Sequence, residues 1–139
     1  MNTTSDTTTQ TQTSGGTNEC IDIQVEPHFL ADQSDPEAQR YVFAYTVEIT
    51  NRGNESVKLL NRRWQITDDN NKVEEVIGEG VVGQQPEIAP GTSFNYTSGA
   101  VIETEFGTME GSYELEDSQG QRFSAAIPPF LLARPFSVH

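Results

Sequence analysis

The segment 78–83 carries a glycine spacing that can bind phosphate. Its letters, GEGVVG, fit the pattern G-x-G-x-x-G, and the candidate binding residues are Gly78, Glu79, Gly80 and Gly83. In dinucleotide-binding proteins such glycines follow a strand and open a helix whose N-terminus binds pyrophosphate. Here Pro86 and Pro90-Gly91 follow too closely for a helix to form. We therefore interpret the segment as a loop that needs positive φ and close backbone approach, with a phosphate cradle as the alternative.

Acidic residues gather around the next feature, a predicted hairpin turn at 68–71. Oxygen ligands of this kind suit Mg²⁺ or Ca²⁺, and the carboxylates concerned are Asp68, Asp69, Glu74, Glu75 and Glu79. Their spacing is not that of a calcium-binding loop, and adjacent residues of a strand point to opposite faces. A solvated turn is the favoured interpretation and a weak cation site the alternative, so no metal ligand is assigned.

Other catalytic patterns are missing from the sequence. The only imidazoles, His28 and His139, have no cysteine partner and no H-E-x-x-H spacing. No G-x-S-x-G or P-loop pattern occurs. Cys20 is the only cysteine, which excludes an intrachain disulfide and is typical of a reducing compartment. We expect a protein that is not an enzyme and needs no cofactor.

The one basic and aromatic spot is Arg62-Arg63-Trp64. A tryptophan on a central strand is typical of a sandwich core. The two arginines then divide between the two faces of the strand, and one of them can pair with surface acids or take part in recognition.

The overall charge restricts the partners. Twenty-one acidic residues against eight basic ones give a formal charge of −13. This charge repels phosphates, so we predict no nucleic-acid binding, whereas it attracts basic partners and keeps the protein in solution. No apolar run reaches the ~20 residues of a membrane helix, and the N-terminus has neither the basic start nor the apolar middle of a signal peptide. We predict a cytoplasmic protein without membrane contact, as a monomer or homodimer.

The sequence predicts a threonine-rich tail followed by one domain. Residues 1–18 have almost nothing apolar to bury, which predicts disorder, and the domain then covers 19–139. Period-2 alternation of apolar residues predicts about seven or eight strands and no helix. The predicted features are strands at 21–26, 41–50, 57–67, 73–77, 94–98, 108–117, 123–127 and 130–132, a bulge near Leu60 or Asn61, a thirteen-residue loop at 78–90, and strand ends at Pro27 and Pro128-Pro129.

Long stretches of this sequence resemble the ApaG family. The resemblance covers about residues 20–139 and is carried by the segments 25–27, 41–46, 64–68, 73–76, 78–86, 90–91, 96–99, 107–113 and 127–130. It implies an immunoglobulin-like, fibronectin type III-like antiparallel β-sandwich. Similar domains occur in a eukaryotic F-box protein and a polymerase-delta-interacting protein, for which protein–protein contact has been suggested. The bacterial members are linked to cobalt tolerance and magnesium movement, and the family carries no catalytic residue set.

Two functions follow as expectations. The first is a non-enzymatic protein-binding module that uses the loop 78–90 and neighbouring strand edges, with an effect on divalent-metal homeostasis that the resemblance implies. The alternative is a binder of a small phosphorylated ligand, a nucleotide or pyrophosphate, at the segment 78–83.

Overall fold

Two antiparallel β-sheets face each other in the computed structural model, which describes residues 20–135. Two short 3₁₀ turns, at Ala31–Gln33 and Pro36–Ala38, are the only helical elements within residues 21–135. The strands are β1 Ile21–Phe29, β2 Tyr41–Asn51, β3 Val57–Asp68, β4 Val73–Glu79, β5 Glu87–Ile88, β6 Ser93–Ile102, β7 Phe106–Glu116 and β8 Arg122–Ala133. The predicted tail at 1–18 lies outside the described residues. Neither 3₁₀ turn is long and apolar enough to cross a membrane.

The sheet order confirms the predicted all-β sandwich. One sheet has the order β1-β2-β6, and the other has the order β4-β3-β7-β8, with the short β5 paired to the start of β3. The edge strands β1 and β8 contact each other across the two sheets. This contact closes one side of the sandwich, so β4 and β6 form the edges of the opposite side.

The core follows from the alternation that the sequence shows. The inward side chains of β2 are buried and face those of β3, β7 and β8. These core residues include Phe43, Tyr45, Trp64, Met109, Tyr113, Ile127 and Leu132. Burying apolar area of this kind is the main driving force of folding. The strict alternation of β2 therefore fixes which face of its sheet becomes core.

A β-bulge in β3 lies where the sequence predicts it. The register against β7 shifts between Leu59 and Asn61, which leaves Leu60 as the extra residue. Because of this residue, both Leu59 and Leu60 are buried. After the bulge, Arg62, Trp64 and Ile66 share the face toward the core.

The prediction that Pro27 ends the first strand is wrong. β1 continues to Phe29, and Pro27 pairs with Tyr45 of β2. Leu30 donates its N–H to Val42, and since bonding alternates along an antiparallel ladder, Pro27 directs its ring nitrogen away from β2. A proline on an edge strand loses no ladder bond in that position.

The prediction that a strand ends at Pro128-Pro129 is wrong, although neither proline has a partner in the ladder with β7. β8 runs without a break from Arg122 to Ala133. Its register against β7 shifts between Met109 and Gly111, so that residues 127–130 lie opposite residues 109–111. β8 is an edge strand, and the bulge takes up the two prolines without breaking the sheet.

The predicted loop at 78–90 is shorter in the structure. Gly78 and Glu79 belong to β4, and Glu87–Ile88 forms β5 against Val57 and Lys58. The sequence did not reveal β5 because two residues are too few to show alternation.

Trp64 lies at the centre of the core, as the sequence predicts. Its side chain is 2% exposed, and its ring makes edge contacts with Tyr45, Tyr113 and Phe130 at centroid distances of 5.2, 6.3 and 5.8 Å. These partners come from three strands, two of them in Trp64's own sheet. Such aromatic pairs add to the stabilisation that burial provides.

We expect Trp64→Ala to lower the free energy of unfolding by about 3–5 kcal/mol, because it opens a large cavity between the sheets. Urea denaturation measures this loss. The control is Val101→Ala at an exposed position of β6, which we expect to change stability by less than about 0.5 kcal/mol. Similar stabilities for the two variants would contradict a structural role of Trp64.

Candidate functional site

The candidate site is the chain reversal that follows β4. Val81 and Gln84 each donate an N–H to the other's carbonyl, at 2.8 and 2.9 Å. Between them, Val82 and Gly83 both have positive φ, at 42° and 82°. Two consecutive residues of this conformation are typical of a type I′ turn, whose usual central residues are Asn-Gly.

Val82 is an unusual residue for the tip of this turn. A β-branched side chain at positive φ is a true outlier, with a cost of about 1–3 kcal/mol. The side chain gains little burial in return, since it is 53% exposed. The turn therefore displays an apolar group at the expense of stability.

Gly80 fixes the base of the turn. It is buried, with φ at 67°, and its N–H donates to the carbonyl of Leu60 at 2.8 Å. The side-chain amide of Gln85 donates to the same carbonyl at 2.9 Å. The bulge residue of β3 therefore anchors both ends of the turn. A Cβ at Gly80 would lie 2.3 Å from the carbonyl oxygen of Gln84, so only glycine fits.

Arg62 reaches the site from the core side of β3. Its guanidinium lies across Gly78, where a Cβ would come within 2.7 Å of Nη1. Nη1 donates to the carbonyls of Glu79 at 3.1 Å and Gly80 at 2.9 Å. No carboxylate of residues 20–135 lies within 4.0 Å of this guanidinium. Arg63 points to the other face and pairs with Glu75 at 2.6 Å, so the two arginines divide as predicted.

The backbone of the segment is largely occupied by its own contacts. The N–H groups of Gly80, Val81 and Gln84 all donate to protein carbonyls. The chain continues toward β5 and no helix begins after the glycines. A phosphate cradle needs free N–H groups that converge on one point, and these three are not free.

Three tyrosines lie near Arg62 in the core. The hydroxyls of Tyr96 and Tyr113 are hydrogen-bonded to each other. Burial raises the pKa of Tyr96, Tyr113 and Tyr45, and the charge of Arg62 opposes this shift only weakly. All three are therefore neutral at pH 7 and act as buried hydrogen-bonding groups.

In the acidic hairpin between β3 and β4, the carboxylate of Asp68 has a structural role. Asp68 is buried, and its Oδ1 accepts N–H bonds from Asn70 and Lys72, both at 2.9 Å. This pattern stabilises the turn between β3 and β4. Within the described part of the chain, no three His, Cys, Asp or Glu side chains are placed to share a metal ion.

Comparison with known proteins identifies the family. A family model described as the ApaG domain matches residues 31–117. Protein ApaG of Pseudomonas putida strain F1 is 54% identical over 119 residues, which is 86% of this chain and 94% of that protein. The chain belongs to the ApaG family. Protein ApaG of Azoarcus sp. strain BH72 is 50% identical over the same length, with the same coverage.

Solved structures share the ApaG fold seen here. The crystal structure of an ApaA protein from Bordetella pertussis superposes with a TM-score of 0.82 at 48% identity, covering 84% of this chain and 95% of that one. The X-ray structure of a structural genomics target named SoR45 gives a TM-score of 0.84 at 44% identity, covering 89% and 94%.

Sequence reasoning for this ApaG chain missed two features of the site. It expected one arginine to pair with surface acids or take part in recognition, but it did not place Arg62 inside the candidate site, where Arg62 holds two carbonyls. It also gave no sign that Val82 has positive φ, because Val-Gly is not a typical type I′ pair. The glycine after Val82 was the only local signal of a tight turn.

The two glycines of the turn should differ in their tolerance of a methyl group. Gly80→Ala combines positive φ with a backbone clash, so we expect the free energy of unfolding to fall by about 3–4 kcal/mol. Gly83→Ala has open space around its Cβ, so backbone strain alone should cost about 1 kcal/mol. Chemical denaturation of both variants checks this order, and equal losses would contradict the close approach at Gly80.

The tyrosine cluster predicts instability in alkali. Tyrosines of the unfolded chain ionise near pH 10, while burial keeps those of the native state protonated. The raised pKa values thus stabilise the native state fully below about pH 10, and this stabilisation is lost as pH rises further, by up to about 1.4 kcal/mol per pH unit for each tyrosine. Denaturation from pH 8 to 11 measures the slope. The double variant Tyr96→Phe/Tyr113→Phe should have a shallower slope, and an unchanged slope would contradict this assignment.

Proposed function

We propose that the protein is a non-enzymatic binding module that contacts a partner protein through the open side of the sandwich. This side consists of β4, the turn at 81–84, and the free edge of β6. The observation that carries the proposal is Val82. A strained, exposed, apolar side chain at a turn tip is better explained by a contact outside the chain than by folding.

The surroundings of Val82 support this surface. Six large apolar side chains are exposed in the range 20–135, and three of them, Val73, Ile77 and Val82, fall within ten residues of sequence. Val73 and Ile77 share the outer face of β4, and Val82 lies in the turn that follows this strand. Exposed apolar groups rimmed by polar residues mark interaction sites. The predicted residues Gly78, Glu79, Gly80 and Gly83 lie in the same stretch and shape its backbone.

The proposed partner carries basic groups. The net charge of −13 favours approach of a positively charged surface. We also propose that the protein functions in the cytoplasm and that it affects divalent-metal homeostasis through the partner. That last element is taken from the family resemblance and not from a metal site of this chain.

Val82→Asn separates stability from binding. Asparagine tolerates the left-handed conformation, so we expect the free energy of unfolding to rise by about 1 kcal/mol. Partner binding should fall because the apolar tip is lost. Thermal denaturation and pull-down of the identified partner measure the two effects. A variant that is more stable and binds equally well would remove the main support for this surface.

Site-specific cross-linking identifies the partner. A photo-reactive residue at position 82 should capture a discrete protein from cell extract, whereas the same residue at Leu131, which is 55% exposed at the opposite edge of the sheet, should not. Capture from both positions, or from neither, contradicts the proposal. Calorimetric binding of ATP or pyrophosphate in the low micromolar range, lost in Gly83→Ala, would favour the phosphorylated-ligand alternative instead.

A further inference from the structure

The four sheet edges differ in how they are protected. A free edge exposes unpaired N–H and C=O groups that can pair with another chain. β1 contains Pro27 and β8 contains Pro128 and Pro129, and these two strands also contact each other. β4 and β6 contain no proline. Only the open side of the sandwich can therefore accept a further strand.

The hydrogen-bond phase shows which groups of β4 are free. The N–H of Gly80 bonds to Leu60 of β3, and bonding alternates along an antiparallel ladder. Residues 74, 76 and 78 thus face β3, while Val73, Glu75 and Ile77 direct N–H and C=O to the free edge. At Glu79 the outward carbonyl is already taken by Arg62 at 3.1 Å, which sets the limit of the open segment.

The side chains of β4 suit an added strand better than those of β6. Val73 and Ile77 lie on the outer face of β4 and are 55% and 68% exposed. Cross-strand neighbours on that face would cover them. On β6 the corresponding outward residues are mainly small and uncharged, namely Asn95, Thr97, Gly99 and Val101, and Thr97 already bonds to Thr46 of β2.

The charge of β4 defines the chemistry of the segment that fits. Glu74 lies on the face opposite to Val73 and Ile77, is exposed, and has no basic group of residues 20–135 within 4.0 Å. Glu79 has none either, while Glu75 pairs with Arg63. On the outer face, a strand beside β4 would therefore meet Val73 and Ile77 with the Arg63-paired Glu75 between them. On the other face it would meet the unpaired carboxylate of Glu74.

We infer that β4 binds an extended segment of the partner as an additional strand, in which apolar residues alternate with Lys or Arg. This inference rests on the proposed function and specifies its mode of contact. The main-chain bonds to Val73, Glu75 and Ile77 supply affinity, and the alternation of side chains supplies specificity. The apolar residues cover Val73 and Ile77, and the basic residues face Glu74.

The test uses a short synthetic peptide of alternating Val and Lys, titrated into the full chain and followed by NMR of the backbone amides. Shift changes should concentrate at residues 73–78, and the amides of Glu75 and Ile77 should exchange more slowly with solvent. The same peptide with N-methyl groups on alternate residues should bind at least about tenfold more weakly, because it cannot complete the ladder. A peptide with Glu in place of Lys should also bind more weakly.

Matched proline variants locate the edge. The N–H groups of Ile77 on β4 and Val101 on β6 both point to a free edge, so neither Ile77→Pro nor Val101→Pro removes a ladder bond. Ile77→Pro should weaken peptide binding about tenfold, whereas Val101→Pro should leave it unchanged. Circular dichroism and thermal denaturation verify that both variants are folded.

Three results would overturn strand addition at β4. The first is that the N-methylated peptide binds as tightly as the unmodified one. The second is that Ile77→Pro binds the peptide as tightly as the unsubstituted protein. The third is that no amide chemical shift changes at residues 73–78 at millimolar peptide. If the partner cross-linked at position 82 is still captured by Ile77→Pro, the binding module remains and only its mode is wrong. If no partner is captured at all, the proposed function itself fails.

Discussion

The bulge at Leu60 is the constraint on which both the core and the candidate site depend. One extra residue changes the phase of β3, so that Leu59 and Leu60 are both buried while Arg62, Trp64 and Ile66 face inward. The carbonyl of Leu60 then accepts the N–H of Gly80 and the amide of Gln85. The irregular position that fills the core therefore also holds the turn after β4.

Arg62 has a position that its sequence neighbours do not reveal. It starts on the core face beside Trp64, yet its guanidinium leaves the core across Gly78 and binds carbonyls at the end of β4. Burying an unpaired charge is costly, and these carbonyls together with partial exposure reduce that cost. Gly78 leaves room for the guanidinium of Arg62, which gives this glycine a structural role that needs no phosphate.

The fold could be predicted from sequence wherever alternation was strong. Tyr41–Asn51 shows five large apolar residues at every second position, and the out-of-phase leucines of β3 reveal the bulge. The errors came from prolines, because Pro27 and Pro128-Pro129 end a central strand but not an edge strand, and sequence alone does not say which strands are edges. The site was located only in part, since the φ of Val82 and the path of Arg62 depend on tertiary contacts.

The arrangement of prolines also limits how many copies of the chain can associate through their edges. Fibres require each molecule to offer two separate edges, one to the molecule before it and one to the molecule after it. Here β1 and β8 contain prolines and contact each other, and the two edges without proline, β4 and β6, lie on the same side. Within residues 20–135 the chain offers proline-free edges on one side only, whereas growth into a fibre needs edges on two sides.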